Sequence, residues 1–289
     1  MSDRHNIELY FLVVNYNSGD LIKRLLDSLV LTDRERVVIV NNSPEDTEIG
    51  NLAGDSIAIL EAGQNLGFGR ACNLGLNWIY QQSDRAIVWL INPDTYFESK
   101  ISPTSSIVTF FQQRPEISIL GTTVWDSDGN LTSAGGSFTP NTAALTIVDR
   151  LPEDLTADYY QTDWVSGCSL LINLANFQEL PQFDPRYFLY YEDLDFCLGY
   201  SQQGHQIAVI NSIRVIHDTS SITSRNTLQQ YRHITQSYLI HIEKYGSQKI
   251  FILTNIRMVI NTVRLLIFKP QQGLGKVTGI YEYWRNRSS

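Results

Sequence analysis

Four short stretches collect side chains that could do chemistry. WLINPDTYF (89–97) ends an apolar run on Asn92, Pro93 and Asp94, then turns apolar again at Phe97. A carboxylate at a strand tip can bind a hard divalent cation such as Mg²⁺ or Mn²⁺, which prefers oxygen ligands. Pro93 stiffens the turn by fixing φ and removing one amide donor. The same Asn-Pro-Asp could equally be a turn capping the next helix. FDPRYFLYYEDLDFCLGYSQQGH (183–205) sets Glu192, Asp193 and Asp195 behind an aromatic run. Acids there complement a helix dipole, or supply a general base beside an aromatic surface. VIHDTSSIT (215–223) carries His217. A lone histidine is more often structural, but a metal-binding aspartate elsewhere would give it a partner role. NLGFGRACNLGL (65–76) could bring backbone amides to a phosphate, or simply turn a strand into a helix. It lacks the third glycine of the dinucleotide fingerprint, and GLGK (273–276) is not a Walker A sequence.

The elements that must position these groups alternate in type. IELYFLVV (7–14), VVIVNNS (37–43), SIAILEAG (56–63) and AIVWLIN (86–92) have strand length and apolar character. LIKRLLDSLV (21–30) and ACNLGLNWIYQQ (71–82) have helical spacing. Such alternation implies a parallel sheet covered on both faces, with ligands at the carboxyl ends of its strands. Those ends carry NYN, NNS and NPD, three polar tips expected on one rim. Further along, 101–115 could hold a helix, and 117–138 reads as strands joined at Ser127-Asp128-Gly129-Asn130. Residues 139–163 read as a loop over the site, WVSGCSLLI (164–172) as a strand, and 191–204 as a helix. Strands over 205–218 and a helix over about 226–245 complete the order.

Length and composition fit one large α/β domain or a domain plus an appendage. The net charge of −8 argues against a nucleic-acid partner. Cys72, Cys168 and Cys197 form no CxxC pair, which argues against a disulfide framework and favours a reducing compartment. The N-terminus runs straight into a strand, with no secretory leader expected.

Taken in order, VVNYNSGDLIKRLLDSL, VIVNNS, NLGFGRACNLGL, LINPDT, WVSGCSLLI, FDPRYFLYYEDLDFC and VIH resemble the family 2 inverting glycosyltransferases of the GT-A fold, in particular the rhamnosyltransferase-like branch. The resemblance covers about residues 7–245. It implies a Rossmann-like, mostly parallel central sheet flanked by helices, with a C-terminal helical extension. It also implies a nucleotide-sugar donor and a glycan or lipid-linked acceptor. Asn92-Pro93-Asp94 matches the DxD metal motif, with Asp94 holding Mg²⁺ or Mn²⁺ on the diphosphate and His217 beside it. Asp193 matches the catalytic base. Tyr16 and Asn41 match positions lining the nucleobase, and Gly67, Phe68 and Asn73 the nucleotide loop. Trp164, Ser166 and Gly167 match the acceptor-side strand, with Glu192 on that side too. The pattern departs at Asn92, where the family's first aspartate stands, at Asn41, commonly Asp, and at Leu198-Gly199-Tyr200, where an Arg is usual. The division expected is a transferase domain over 1–245, nucleotide-binding to about 100 and acceptor-binding beyond, with a basic tail over 246–289.

A single displacement at an anomeric carbon needs a base on the acceptor hydroxyl and a stabilised diphosphate leaving group. One rival is a nucleotidyltransferase, which would be expected to have a glycine-rich basic loop where NYNSGDLIKR stands. Another is an inactive glycan-binding protein, against which the retained Asp94, Asp193 and His217 argue. The tail is distinctive. Residues 249–289 carry seven Lys/Arg and one Glu, net +6, leaving −14 on the rest. Residues 249–270 are long enough to cross a bilayer, but Asn255, Arg257, Asn261 and Arg264 interrupt them. An amphipathic helix at a membrane interface is expected, with a core-packing or homodimer helix as the alternative. The location expected is cytoplasmic, peripheral at the inner face of the cell membrane.

Overall fold

The computed structural model describes residues 7–151, 157–218 and 226–287. The hydroxyl-rich part of VIHDTSSIT, 219–223, lies outside them. The first half runs β1 (Leu9–Asn15), α1 (Gly19–Asp27), β2 (Glu35–Asn41), β3 (Ile57–Glu61), α2 (Phe68–Gln82), β4 (Ile87–Ile91), β5 (Thr95–Tyr96) and α3 (Thr104–Gln113). Then come β6 (Ile117–Trp125), β7 (Leu131–Ser133), β8 (Gly136–Thr139), β9 (Ala144–Ile147), β10 (Tyr159–Gln161), β11 (Ser169–Asn173), α4 (Glu192–Ser201) and β12 (Gln206–His217). Three helices follow: α5 (Thr227–Tyr245), α6 (Gln248–Phe268) and α7 (Pro270–Arg287).

The main sheet has the order β10-β12-β6-β11-β4-β1-β2-β3, with β5 added at β12 and β7 at β6. β4, β1, β2 and β3 are parallel, and β12 is parallel to β6. β11 runs antiparallel between β4 and β6. This reversal matters for the site. The carboxyl ends of β1, β2, β3, β4 and β12 and the amino end of β11 all reach one edge.

Alternation along β1 explains why both faces are covered. Leu9, Phe11 and Val13 pack with Ile22 and Leu25 of α1 and Ile107 of α3. Tyr10, Leu12 and Val14 pack with Leu76 and Ile79 of α2 and Leu194 of α4. Trp89 is fully buried in β4, stacked on Phe11 with centroids 5.3 Å apart, and its Nε1 donates to Ser169 Oγ (3.0 Å).

Several boundaries differ from the sequence expectation. β11 begins at Ser169 rather than Trp164, because Ser166-Gly167-Cys168 spends its backbone groups on a turn and on the neighbouring loops. Residues 139–163 contain β9 and β10 rather than a plain loop. The stretch 205–218 is one strand, with its register broken between Ile210 and Arg214. The basic tail forms two helices, α6 and α7, with the break at Lys269-Pro270. α7 lies along α5, where Gly275 and Gly279 face the Leu228 and Arg232 carbonyls, and a Cβ at either glycine would come within 2.4 Å.

Candidate active site

The polar strand tips meet as expected. Asn15 and Asn41 are register partners in β1 and β2, and Asn41 pairs with Glu61 in β3. Asn15 Nδ2 donates to Asn41 Oδ1 and to Asp46 Oδ2, both at 3.0 Å. Asn41 Nδ2 donates to Glu61 Oε2 (2.9 Å). Asn41 is buried, and its oxygen also accepts from Ser43 N (3.3 Å), so it braces the rim instead of presenting a free face to a base. Tyr16, the other expected base contact, is exposed. Asn42, not singled out from sequence, stitches in the glycine loop: its Oδ1 accepts from Leu66 N (2.8 Å) and its Nδ2 donates to Asn65 Oδ1 (3.1 Å).

That loop opens α2. Gly67 has φ +82°, and a Cβ there would sit 2.3 Å from the Phe188 carbonyl oxygen, which accepts from Phe68 N (2.8 Å). Glycine is therefore required by both conformation and space. Asn73, expected to line the nucleotide, is occupied elsewhere. Its amide exchanges two hydrogen bonds with the backbone of Phe183, at 2.9 and 2.8 Å, and clamps the 183–191 segment to α2.

Asn92-Pro93-Asp94 is a turn and a presented carboxylate at once. Asn92 O accepts from Thr95 N (3.2 Å) and Thr95 Oγ1 (2.6 Å). Asp94 is buried, and His217 Nε2 lies 3.1 Å from its Oδ1. The β5–β12 pairing, His217 opposite Thr95, makes this contact. Burial opposes charge on the His217 imidazole, but hydrogen bonds to Asp94 and Cys168 outweigh it and raise its pKa to about 10. Among the described residues no group of three or more His, Cys, Asp and Glu is arranged as a metal cage. Asp94 and His217 would suit Mg²⁺ or Mn²⁺ where the cation takes the place of the imidazole's shared proton, with the remaining oxygens from substrate phosphates and water.

Asp193 lies at the start of α4. Its Oδ2 accepts from Gly167 N (2.8 Å) and its Oδ1 from Leu194 N (2.8 Å). Burial pushes its carboxyl up, and the two amides oppose that without cancelling it. A Cβ on Gly167 would lie 3.1 Å from Asp193 Cβ and 3.4 Å from Phe68. Phe68, Gly167 and Asp193, expected from three separate motifs, are thus neighbours. Cys168 O accepts from Asn92 N (3.0 Å), so the 166–168 turn touches both the Asp193 and the Asp94 sides. Ser166 spends its hydroxyl within that turn, on Cys168 Sγ (3.3 Å). Trp164 is buried, and its carbonyl accepts from Gly136 N of β8 (3.1 Å).

Glu192, expected on the acceptor side, is buried. It is 6% exposed, with Oε2 lacking a hydrogen-bond partner among the described residues. Burial and the adjacent Asp193 push its carboxyl up to about 8. Asp195 is a structural acid: its carboxylate accepts from Lys244 Nζ (2.7 Å), Tyr187 OH (3.1 Å) and Tyr245 OH (3.0 Å). Before this helix, Tyr190 and Tyr191 hold φ of 70° and 69°, a left-handed pair that tyrosine rarely adopts. Two open cavities of about 350 and 320 Å³ lie elsewhere, along α3 and the irregular part of β12.

A mixed, mostly parallel sheet flanked by helices, with a C-terminal helical region, is the GT-A architecture. The crystal structure of GalNAc-T7 with UDP, GalNAc and Mn²⁺ superposes with a TM-score of 0.58 at 14% identity, covering 90% of this chain and 58% of that one. The crystal structure of S. aureus TarS 1–349 superposes at 0.51 and 13% identity, covering 84% and 67%. The chain belongs to the glycosyltransferase-like family 2, whose model matches residues 5–234. It is similar to rhamnosyltransferase WbbL of Escherichia coli (strain K12), 22% identical over 225 residues, 72% of this chain and 83% of that one. It is also similar to the N-acetylglucosaminyl-diphospho-decaprenol L-rhamnosyltransferase of Mycobacterium tuberculosis, 24% identical over 260 residues, 81% and 83% of the two chains.

Proposed function

We propose that this glycosyltransferase is inverting and metal-dependent. It moves rhamnose or another hexose from a dTDP- or UDP-sugar to a glycan or lipid-linked acceptor, in surface polysaccharide synthesis. With a lipid-linked acceptor the reaction runs at the cytoplasmic face of the cell membrane. The observation that carries this reading is the pairing of two unlike carboxylate sites across one turn: Asp193 held by Gly167 N, and Asp94 paired with His217.

Asp193 takes the proton of the acceptor hydroxyl as that oxygen attacks the anomeric carbon. The bond from the anomeric carbon to the diphosphate breaks, and the nucleoside diphosphate leaves with the electron pair. Attack opposite the leaving group inverts the anomeric configuration. Asp94 and His217 would hold the divalent cation. When bound, such a cation neutralises charge developing on the diphosphate. The exposed Tyr16 would receive the nucleotide, beside the 65–69 loop, whose Leu66, Gly67 and Phe68 amides are already spent on Asn42, Asn65 and Phe188. Names of the relatives favour rhamnose, and a solved neighbour crystallised with UDP and Mn²⁺ favours a nucleotide diphosphate and a divalent ion.

The test is a screen of dTDP- and UDP-sugars for nucleoside diphosphate release, with Mn²⁺, with Mg²⁺ and with chelator. Metal-stimulated release from one donor is expected, with the product's anomeric configuration opposite to the donor's. Pyrophosphate instead of nucleoside diphosphate would overturn the reading, and so would retention of configuration.

A further inference from the structure

α6 presents three different faces. Met258 and Thr262 point inward and are buried. Met258 joins Tyr187, Leu239, Ile240 and Tyr283 in a small core shared with α5 and α7. A second face carries Ile252, Ile256, Val259, Ile260, Val263 and Ile267, each 52–70% exposed. At 100° per residue these six fall within about a third of the helix circumference, an unbroken apolar stripe. On one edge of that stripe stand Arg257, Asn261 and Arg264, spaced four and three residues apart and all exposed. α7 adds a second exposed stripe, Leu274, Val277, Tyr281 and Trp284, opposite the glycines that bind it to α5.

We infer that α6 is an in-plane anchor whose isoleucine-valine stripe enters the acyl boundary of an anionic bilayer while Arg257 and Arg264 sit among the headgroup phosphates. This extends the reading above from the reaction to the surface on which it runs. Three observations select this occupant. The stripe is too large and too apolar to be an ordinary solvent face. Its charged edge and the net +6 of residues 249–289 oppose the −14 of the remaining chain, so an anionic surface attracts this end and repels the rest. Tyr281 and Trp284 are the side chains that favour the headgroup level. α6 is long and apolar enough to span a bilayer, but its inward face packs on α5 and α7 through Met258 and Thr262 and Arg257 falls near its middle, which favours an in-plane position. A second copy placed stripe to stripe with the two α6 helices antiparallel would bring Arg257 and Arg264 of both copies together, like charge on like charge.

The experiment is flotation of the full chain with phosphatidylcholine vesicles, with and without about one-third phosphatidylglycerol, at low and high salt. The wild type should float with the anionic vesicles, and less on neutral vesicles or at high salt. The exposed double substitution Ile260→Asp/Ile267→Asp should cut the floated fraction about tenfold or more. Its melting temperature should stay within a few degrees of wild type. Flotation unchanged by the double substitution overturns the inference, as does equal flotation on neutral vesicles or none on anionic ones. A sedimenting dimer that the substitution dissociates, without flotation, also overturns it and assigns the stripe to a second copy. Nucleoside diphosphate release with a soluble acceptor is read in parallel. If release is absent while flotation behaves as stated, the transferase reading fails and the anchor stands.

Discussion

Glu192 and Asp193 are adjacent carboxyls whose surroundings give them opposite tasks. Asp193 receives two backbone amides, which favour its charged form, while Glu192 Oε2 is buried without a hydrogen-bond partner among the described residues. The pair therefore shares its ionisation unequally: Asp193 is the anion and Glu192 the neutral acid. Because burial still raises Asp193, a base there loses its charge at a higher pH than an ordinary aspartate. The rate of sugar transfer should fall on acidification through a midpoint above 3.8, read from a pH–rate profile. Asp193→Asn should lower transfer by about a hundredfold to ten-thousandfold while nucleotide binding by calorimetry is kept. Intact transfer in a folded Asp193→Asn protein would mean the base lies elsewhere. For Glu192 the effect is on stability. Between its ordinary pKa of 4.5 and about 8, the unfolded chain has released a proton that the folded chain keeps. Stability therefore falls as pH rises through that window and is level above it. Glu192→Gln abolishes this loss. Relative to wild type it should gain on the order of a few kcal/mol between pH 5 and pH 8 in urea unfolding. A constant difference between the two proteins across that range would refute the neutral-acid assignment.

At the scale of elements, the turns do the positioning. The loop that opens α2 depends on Gly67, whose φ and whose closeness to Phe188 O both exclude a side chain. Gly67→Ala should cost about 2–4 kcal/mol in denaturant unfolding and weaken donor binding, since the loop must shift away from Phe188. A loss below half a kcal/mol would show that the loop is not so constrained. Much of this organisation could be read from the chain. The apolar runs of β1, β2 and β4 and their polar tips gave both the parallel core and the shared rim, because burial on two faces leaves a plain signature. What could not be read depends on contacts distant in sequence. The antiparallel insertion of β11 is invisible in a local run, and WVSGCSLLI is as apolar as a longer strand would be. Asn41 and Asn73 have the residue type of ligand-binding amides, yet partners 20 to 110 residues away claim them. Glu192 beside Asp193 gives no local hint that one faces inward. Tyr190 and Tyr191 are residues that avoid positive φ, so their left-handed geometry has no sequence signal at all.

For the whole molecule, Asp195 is the joint between α4, which carries Asp193, and the helical end of the chain. It is the third acid of the 192–195 cluster, but it faces α5. Lys244 and Tyr245 of α5 and Tyr187 of the segment before α4 all bond to its carboxylate. α5 in turn carries α7 through close contacts at Gly275 and Gly279, and α6 joins the same small core. The helix proposed to lie on a bilayer is thereby connected through α5 to the one that carries Asp193. Removing only the cation tests the joint. Lys244→Met leaves Asp195, 4% exposed at its side chain, without its ion partner, and an uncompensated buried carboxylate is costly. Because Lys244 is itself one-third exposed, the expected loss is about 1–3 kcal/mol rather than the full cost of a buried pair. Asp195→Asn in the same background should recover part of that loss, since an amide can still accept from Tyr187 and Tyr245 and carries no charge to strand. Urea unfolding of the two single variants and the double variant measures this coupling directly. If the joint also sets the position of Asp193, sugar transfer should follow the same order: wild type highest, Lys244→Met lowest and the double variant between them. Additive losses in the cycle would mean that Asp195 and Lys244 act independently, and that the helical end is attached by its apolar core alone.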